Sequence, residues 1–279
     1  MGVRFSPEAQ AISTTMIMSR SSESTHDPAG ESIPVQEGGR GEPGAGEAIQ
    51  EIAFDRSVCM APEDEKACLD YFSMLEESVK DETMFIGKGG AGKVFSVSNT
   101  GFCIKVVPVR NAATADGVAF DLGNAPRVEA RLQQRVQALQ RARARVPACL
   151  RVVEGGEHVG IVMEKLNACN LEEVLQGVEQ LPATYNHGSF FDALADFLQV
   201  MHEDAEVGHG DLYPRNVMVD RETGAAYVID FGRSSLLSDL DAGRRREIAE
   251  QDWDQYDTVE AELYAYCQKQ GLTKTNKHE

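Results

Sequence analysis

No stretch of this chain approaches the roughly 20 consecutive apolar residues that a membrane-spanning helix requires. The N-terminal run Ala11 to Met18 is too broken to act as a secretory leader. Paired cysteine motifs are also missing: Cys59, Cys68, Cys103, Cys149, Cys169 and Cys267 form no C-x-x-C and no Cys/His cluster at zinc spacing. That argues against a zinc module and for reduced, largely buried thiols in a cytosolic setting. Positive charge is scarce, with 27 Lys and Arg against 45 Asp and Glu, a net charge of −18. Nucleic acid is therefore disfavoured as a whole-surface partner. Residues 1–55 lack any sustained apolar period and are rich in Ser, Gly, Glu and Pro, so they are expected to be disordered. Residues 56–279 remain, enough for one domain at about 100–200 residues per domain. Met1-Gly2-Val3-Arg4-Phe5-Ser6 fits the acylation pattern M-G-x-x-x-[ST]. Lipid anchoring at Gly2 would require delivery into a eukaryotic cell, and a chance match is the simpler account.

What the chain does have is concentrated between Gly208 and Gly232, reading GHGDLYPRNVMVDRETGAAYVIDFG. Val217 to Val219 and Tyr227 to Ile229 read as short strands, with Asp220, Thr223 and Gly224 supplying turn chemistry between them. A hairpin brings its open end together, so Asn216 and Asp230 are expected side by side, as oxygen ligands for Mg²⁺. Asp211 lies one loop away, suited to orient or deprotonate an acceptor hydroxyl. His209 reads as structural, holding the loop by hydrogen bonds.

Upstream, Phe85 to Val94 holds G-x-G-x-x-G, with Gly87, Gly89, Gly90 and Gly92 able to bring backbone N–H groups near phosphates. The same letters nearly spell a Walker A, but Lys93 is followed by Val94, without the Ser or Thr hydroxyl, and the flanks read strand, turn, strand. Next comes Phe102-Cys103-Ile104-Lys105-Val106-Val107, reached through a turn at Asn99, Thr100 and Gly101. A lysine among apolar neighbours needs an anion partner, and between Lys105 and Glu154 the only glutamate is Glu129. Glu129 lies beside the apolar face Val128, Leu132, Val136 and Leu139 of a predicted helix; a solvated helix acid is the alternative reading.

These residues together resemble the protein kinase-like superfamily, in which H-R-D-L-x-x-x-N, D-F-G, a glycine-rich loop and V-A-I-K carry the chemistry. The likeness is to minimal HGD-type members: RIO-like atypical kinases and short bacterial effector kinases. It implies an α+β bilobal fold with a five-stranded antiparallel N-lobe sheet, a regulatory helix and a truncated, mostly helical C-lobe. The N-lobe would span about 83–164 and the C-lobe about 165–279. ATP and Mg²⁺ are the implied cofactors. In these roles Asp211 is the base, Asn216 and Asp230 hold metal, Lys105 holds the α/β-phosphates, and Glu129 fixes Lys105. Val94 and the glycines cover the nucleotide, Met163 is the gatekeeper, and the backbones of Glu164 and Leu166 bond adenine.

Three departures qualify the likeness. Gly210 replaces the usual arginine, so no arginine is available there to clamp a phosphorylated loop, and Tyr213 replaces the lysine typical of serine/threonine kinases. No Ala-Pro-Glu follows, and only 47 residues lie beyond Gly232. The expected activity is phosphorylation of Ser or Thr on a protein, by a cytoplasmic enzyme or one secreted into a host cell. A small-molecule phosphotransferase and a pseudokinase or nucleotide-binding module stay open as alternatives.

The remaining segments read as supports. Pro62 to Lys80 is a predicted helix with Cys68, Phe72, Leu75 and Val79 on one face. Phe190, Leu194, Phe197, Leu198 and Met201 space as a buried helix leading into the Asp211 loop. Two further helices are predicted, about Asp239 to Glu250 and Trp253 to Gln270, with Asp252 or Asp254 supporting the loop from beneath. Residues 83–160 carry eleven Lys or Arg against five Asp or Glu. Arg127, Arg131 and Arg135 repeat at i, i+4 and i+8, a basic ridge continued by Arg141, Arg143 and Arg145. It is either a solvated face or a dock for an acidic protein or for the chain's own acidic N-terminal segment.

Overall fold

The computed structural model of the chain describes residues 50–53, 60–77, 84–88, 92–108, 124–139 and 143–272. Strand β1 (Gln50–Ala53) falls within the stretch expected to be disordered and corrects that boundary; residues 1–49 lie outside the described residues. Helix α1 (Pro62–Glu77) begins with a proline, which loses no helical hydrogen bond there, and carries Glu63, Asp64 and Glu65 at its positive end. Cys68, Phe72 and Leu75 are buried along one face as expected; Val79 is outside the described residues.

Strands β2 (Phe85–Lys88), β3 (Lys93–Ser96) and β4 (Phe102–Pro108) follow, with Asn99 in the left-handed region, φ 58°, between the last two. Lys93 opens a strand and not a helix, which removes the Walker A reading. Helix α2 (Pro126–Gln137), β5 (Cys149–Glu154) and β6 (His158–Glu164) complete this part. The sheet order is β1-β5-β6-β4-β3-β2. The five expected strands are present and all pair antiparallel; β1 adds a sixth against β5.

Period-two alternation decides what each face of this sheet does. Val94, Lys105 and Ile161 stand opposite one another across β3, β4 and β6, so they share one face, and Phe95, Ile104 and Val162 share the other. The second face packs on Cys68, Phe72 and Leu75 of α1. The first meets α2 through Ala130, with Cys149, Val152 and Ile161. Lys105 is thereby aimed at the helix that carries Glu129.

Helix α2 is turned relative to the predicted face. Val128 is 42% exposed, while Glu129, Ala130, Leu132, Gln133 and Val136 are buried. Apolar periodicity misjudged the stripe because two polar residues in it have partners that permit burial. Gln133 Nε2 donates to the Pro147 carbonyl at 2.7 Å, and Glu129 accepts from Lys105.

The C-terminal part contains β7 (Ala168–Asn170), α3 (Leu171–Leu175), α4 (His187–Glu203), β8 (Val207–Gly208), β9 (Val217–Asp220), β10 (Ala226–Val228), β11 (Ser235–Leu236) and α5 (Ala242–Lys269). All five predicted core residues of α4 are 2% exposed or less. The β9–β10 hairpin closes as read: Asp220 Oδ1 accepts from the amides of Glu222 and Thr223 and from the Thr223 hydroxyl. Gly224 adopts φ 73° there. The two predicted terminal helices are one 28-residue helix, α5, whose buried stripe runs Ile248, Asp252, Gln255, Val259, Leu263, Cys267. The predicted break falls at residues 251–252, yet the helix runs through it, with Asp252 and Gln255 buried because the Asp211 loop hangs from them.

Among the described residues no helix is long and apolar enough to cross a membrane. The five described cysteines are free and buried, and burial pushes the Cys103 and Cys149 thiols up to about 12; Cys59 lies outside the described residues. The seating of α1 on the sheet depends on Gly160, where an added Cβ would stand 2.7 Å from Val153 Cγ2 and 2.8 Å from Phe72 Cδ2. Gly160→Ala is expected to cost about 1–3 kcal/mol through overpacking. Urea titration reads this as a lower midpoint, and an unchanged midpoint would contradict the packing of α1 on this face.

Candidate active site

The centre of the site is the Lys105 ammonium, 4% exposed, bonded to Glu129 Oε1 at 2.6 Å and to Asp230 Oδ1 at 2.7 Å. Burial works against the lysine charge, but the two carboxylates outweigh it and hold the group protonated above the ordinary lysine range. Burial also pushes the Glu129 carboxyl up, with Asp230 adding to the rise and Lys105 offsetting part of it. For Asp230 burial is outweighed in the other direction: Lys105 and the Gly232 amide hold its carboxyl below the usual range. Asp230 sits at φ 64°, ψ 79°, a left-handed conformation that costs a non-glycine residue about 1–2 kcal/mol. Its bonds to Lys105 and to the Gly232 amide, 3.2 Å away, oppose that strain.

The Asp211 loop is suspended from α5. Asp252, fully buried, accepts at Oδ2 from the His209 amide and from His202 Nε2, both at 2.8 Å, and at Oδ1 from the Gly210 amide at 2.7 Å. Asp252, not Asp254, is therefore the supporting acid. Gln255 Oε1 accepts from the Leu212 amide at 2.6 Å. His209 is structural, as expected: Nε2 donates to the Ile229 carbonyl at 3.1 Å, leaving Nδ1 to accept from the Asp211 amide at 3.3 Å. Its ring lies edge-on to Phe231, centroids 5.1 Å apart. Gly210 has φ 73°, and an added Cβ would stand 2.7 Å from the Arg233 carbonyl oxygen. A side chain there would require both strain and displacement, which explains the glycine where the kinase pattern carries arginine.

The hairpin does bring Asn216 beside Asp230, since the Ile229 amide donates to the Asn216 carbonyl at 2.9 Å. Asn216 Nδ2 donates to the Asp211 carbonyl at 2.7 Å and to Asp211 Oδ2 at 2.9 Å. The reverse amide orientation would set oxygen against oxygen, so Nδ2 faces Asp211 and Oδ1 is turned away from it. Arg215, which the sequence reading passed over, places Nη2 2.7 Å from Asp211 Oδ1, with its guanidinium 4.7 Å from the Tyr213 ring centroid. Its i, i+4 spacing from Asp211 was the available signal. His202 and Gln255 had none, because their partners lie 50 and 43 residues away.

The other residues expected near a nucleotide are spread over the sheet and its flanks. Val94 and Met163 lie on the Lys105 face of the sheet, opposite Lys105 and Cys103 respectively. Gly92 lies against β4, where a Cβ would meet the Val106 carbonyl oxygen at 2.4 Å, so close backbone approach is reason enough for glycine there. An added Cβ at Gly87 would meet nothing within 4 Å; Gly89 and Gly90 are outside the described residues. Glu164 is tied into the sheet through its amide, 2.8 Å from the Ala148 carbonyl, and Leu166 follows just beyond β6. The donor set fits Mg²⁺ carried by a nucleotide. Asn216 and Asp230 offer hard oxygens, and among the described residues no group of three His, Cys, Asp or Glu forms a protein-only cage.

Arginines of the predicted ridge are engaged within the chain: Arg127 forks onto Glu154, Arg135 bonds the Ala205 carbonyl and Glu206, and Arg143 lies 3.6 Å from Asp196. Arg131 is exposed; Arg141 is outside the described residues.

An antiparallel sheet with one cross-bonded helix, joined to a helical part that presents Asp211, Asn216 and Asp230 around a buried lysine, defines a phosphotransferase of the kinase type. The family comparison agrees, matching the protein kinase domain over residues 81–251, more than half of the chain, and the chain belongs to that family. A search of curated proteins found no match.

If Asp252 suspends the loop as described, Asp252→Ala removes the acceptor of three hydrogen bonds. A loss of about 3–5 kcal/mol in unfolding free energy is expected, as for one partner of a buried charged network. Chemical denaturation checks it, and a loss under 1 kcal/mol would show the loop to be held by other means.

Proposed function

We propose that the chain is an ATP- and Mg²⁺-dependent protein serine/threonine kinase. Bound MgATP supplies the phosphoryl group, and the chain's own residues bind and orient it. Lys105 neutralises phosphate charge while Glu129 holds its ammonium. Asn216 Oδ1 and the Asp230 carboxylate would hold the metal. Asp211 accepts the proton of the acceptor hydroxyl, its carboxylate oriented by Arg215 at Oδ1 and by Asn216 Nδ2 at Oδ2. The observation that carries this reading is the meeting of Lys105, Glu129 and Asp230, residues far apart in sequence, at 2.6 and 2.7 Å. Asp211 has a 13% exposed side chain beside the exposed Arg215, within reach of a hydroxyl on a polypeptide. Action as an effector delivered into a host cell belongs to the same proposal.

One observation favours a second reading, a small-molecule phosphotransferase. Residues 232–241 form a short turn, the brief strand β11 against β8 and another turn before α5, so among the described residues no long segment follows Asp230 to present a peptide. Labelled ATP separates the two by whether label enters protein or a low-mass product. Asp211→Ala is expected to lower transfer by about 10²–10⁴-fold while MgATP still raises the melting temperature. Asp230→Asn should abolish the Mg²⁺-dependent part of that rise. Full transfer by Asp211→Ala would overturn the assignment, and an Mg²⁺ response surviving in Asp230→Asn would remove Asp230 as a ligand.

A further inference from the structure

Resting on that reading, we propose that Asn124 is a positioning residue: together with Arg135 it brackets α2 in the place where Glu129 meets Lys105. The site is then assembled without phosphorylation of the segment after Asp230. The Asn124 backbone amide donates to the Gly232 carbonyl, and Nδ2 donates to the carbonyls of Phe231 at 3.2 Å and Ser234 at 2.6 Å. All of its N–H groups of either kind are directed at the turn that follows Asp230. The start of α2 has no capping of its own, since its N-cap Ala125 makes no side-chain cap bond and Pro126 has no N–H; the exposed Arg127–Glu154 fork ties it to β5, and Asn124 ties it to the turn after Asp230. Glu129 lies one helical turn further on. What sets the helix start therefore sets the Glu129 carboxylate.

The far end of α2 is held from the same side. Arg135 Nε donates to the Ala205 carbonyl, and Nη2 lies 3.3 Å from Glu206 Oε2. Those two residues lead directly into β8 and the Asp211 loop. Glu206 is itself fixed, in a left-handed conformation at φ 51° with its carbonyl accepting the Leu237 amide at 2.6 Å. The turn that Asn124 grips is anchored too, because the buried Ser234 hydroxyl donates to the His209 carbonyl at 3.1 Å. Amide-to-carbonyl bonds are worth about 1 kcal/mol each. Losing two of them shifts a two-state position by roughly tenfold or more, with about 1.4 kcal/mol per factor of ten.

The test uses the full chain and compares wild type with Asn124→Asp, which keeps the side-chain shape but turns two donors into a carboxylate facing two carbonyls. Without nucleotide, hydrogen exchange of residues 126–137 should rise by about tenfold or more. With casein as acceptor, KM for ATP should rise by a similar factor while kcat at saturation is largely kept, because ATP draws α2 back. A merely structural role would lower kcat at unchanged KM. Phosphatase-treated wild type should match untreated. Unchanged exchange and KM in Asn124→Asp, or activity lost on phosphatase treatment, would overturn the proposal. A wild type that neither binds MgATP nor transfers phosphate would sink the kinase reading alone, and exchange in Asn124→Asp would still decide the bracket.

Discussion

Moving a single ammonium out of water costs several kcal/mol unless charges and hydrogen bonds replace the solvent. Lys105 meets that demand with Glu129, 24 residues on, and Asp230, 125 residues on, so sheet, α2 and the turn after β10 must all be in place together. The replacement overshoots. Two carboxylates face one ammonium, and Glu129 Oε2 is buried without a hydrogen-bond partner. A site with that surplus of negative charge gains from a divalent cation, and Asp230, the more exposed of the two acids with 26% of its side chain accessible, is the one able to meet it. On the proposed reading, the same electrostatics that rigidify the site suit it to a metal–phosphate ligand.

The second support is Asp252. The loop from His209 to Leu212 has its first two amides on Asp252 and its last on Gln255, residues one turn apart on α5. A loop whose amides terminate on one helix inherits that helix's rigidity, which is what positioning an acceptor hydroxyl against phosphate requires. Helix α5 can do this as an outer helix because its opposite face, with Glu247, Glu250, Asp254, Asp257 and Glu262, is exposed and charged. It buries one stripe and solvates the rest.

The parts of the site legible in the sequence were those fixed by local spacing. Asp211 with Asn216, the hairpin to Asp230, and the strand carrying Lys105 are each set within a few residues by turn and strand chemistry. Glu129 was found by elimination, as the only glutamate between Lys105 and Glu154. What escaped was whatever depends on polar burial or distant backbone. The face of α2 was misjudged because Glu129 and Gln133 go inward, and α5 was divided at residues 251–252 although it runs unbroken there, with Asp252 turned inward to the Asp211 loop. Gly92 and Gly210 drew attention as a phosphate contact and a missing arginine. Their physical reasons are the Val106 and Arg233 carbonyls, which no local pattern encodes. Strand β1 was missed because four residues amid a Gly- and Glu-rich stretch carry no usable period.

Gly210 and Asn124 are two sides of one constraint. The close approach of the Arg233 carbonyl to Gly210 leaves no room for a side chain, and so none for a charge that would read a phosphate from that position. The same turn offers its Phe231, Gly232 and Ser234 carbonyls to Asn124. A turn packed closely enough to exclude an arginine is also close enough for neutral amides to bridge it to α2. Bonds of that kind form with the fold itself and are little affected by salt screening, which acts on exposed charges. The join between α2 and the Asp230 turn is therefore a property of the folded ground state, and the Lys105–Glu129 pair that depends on it forms with the fold.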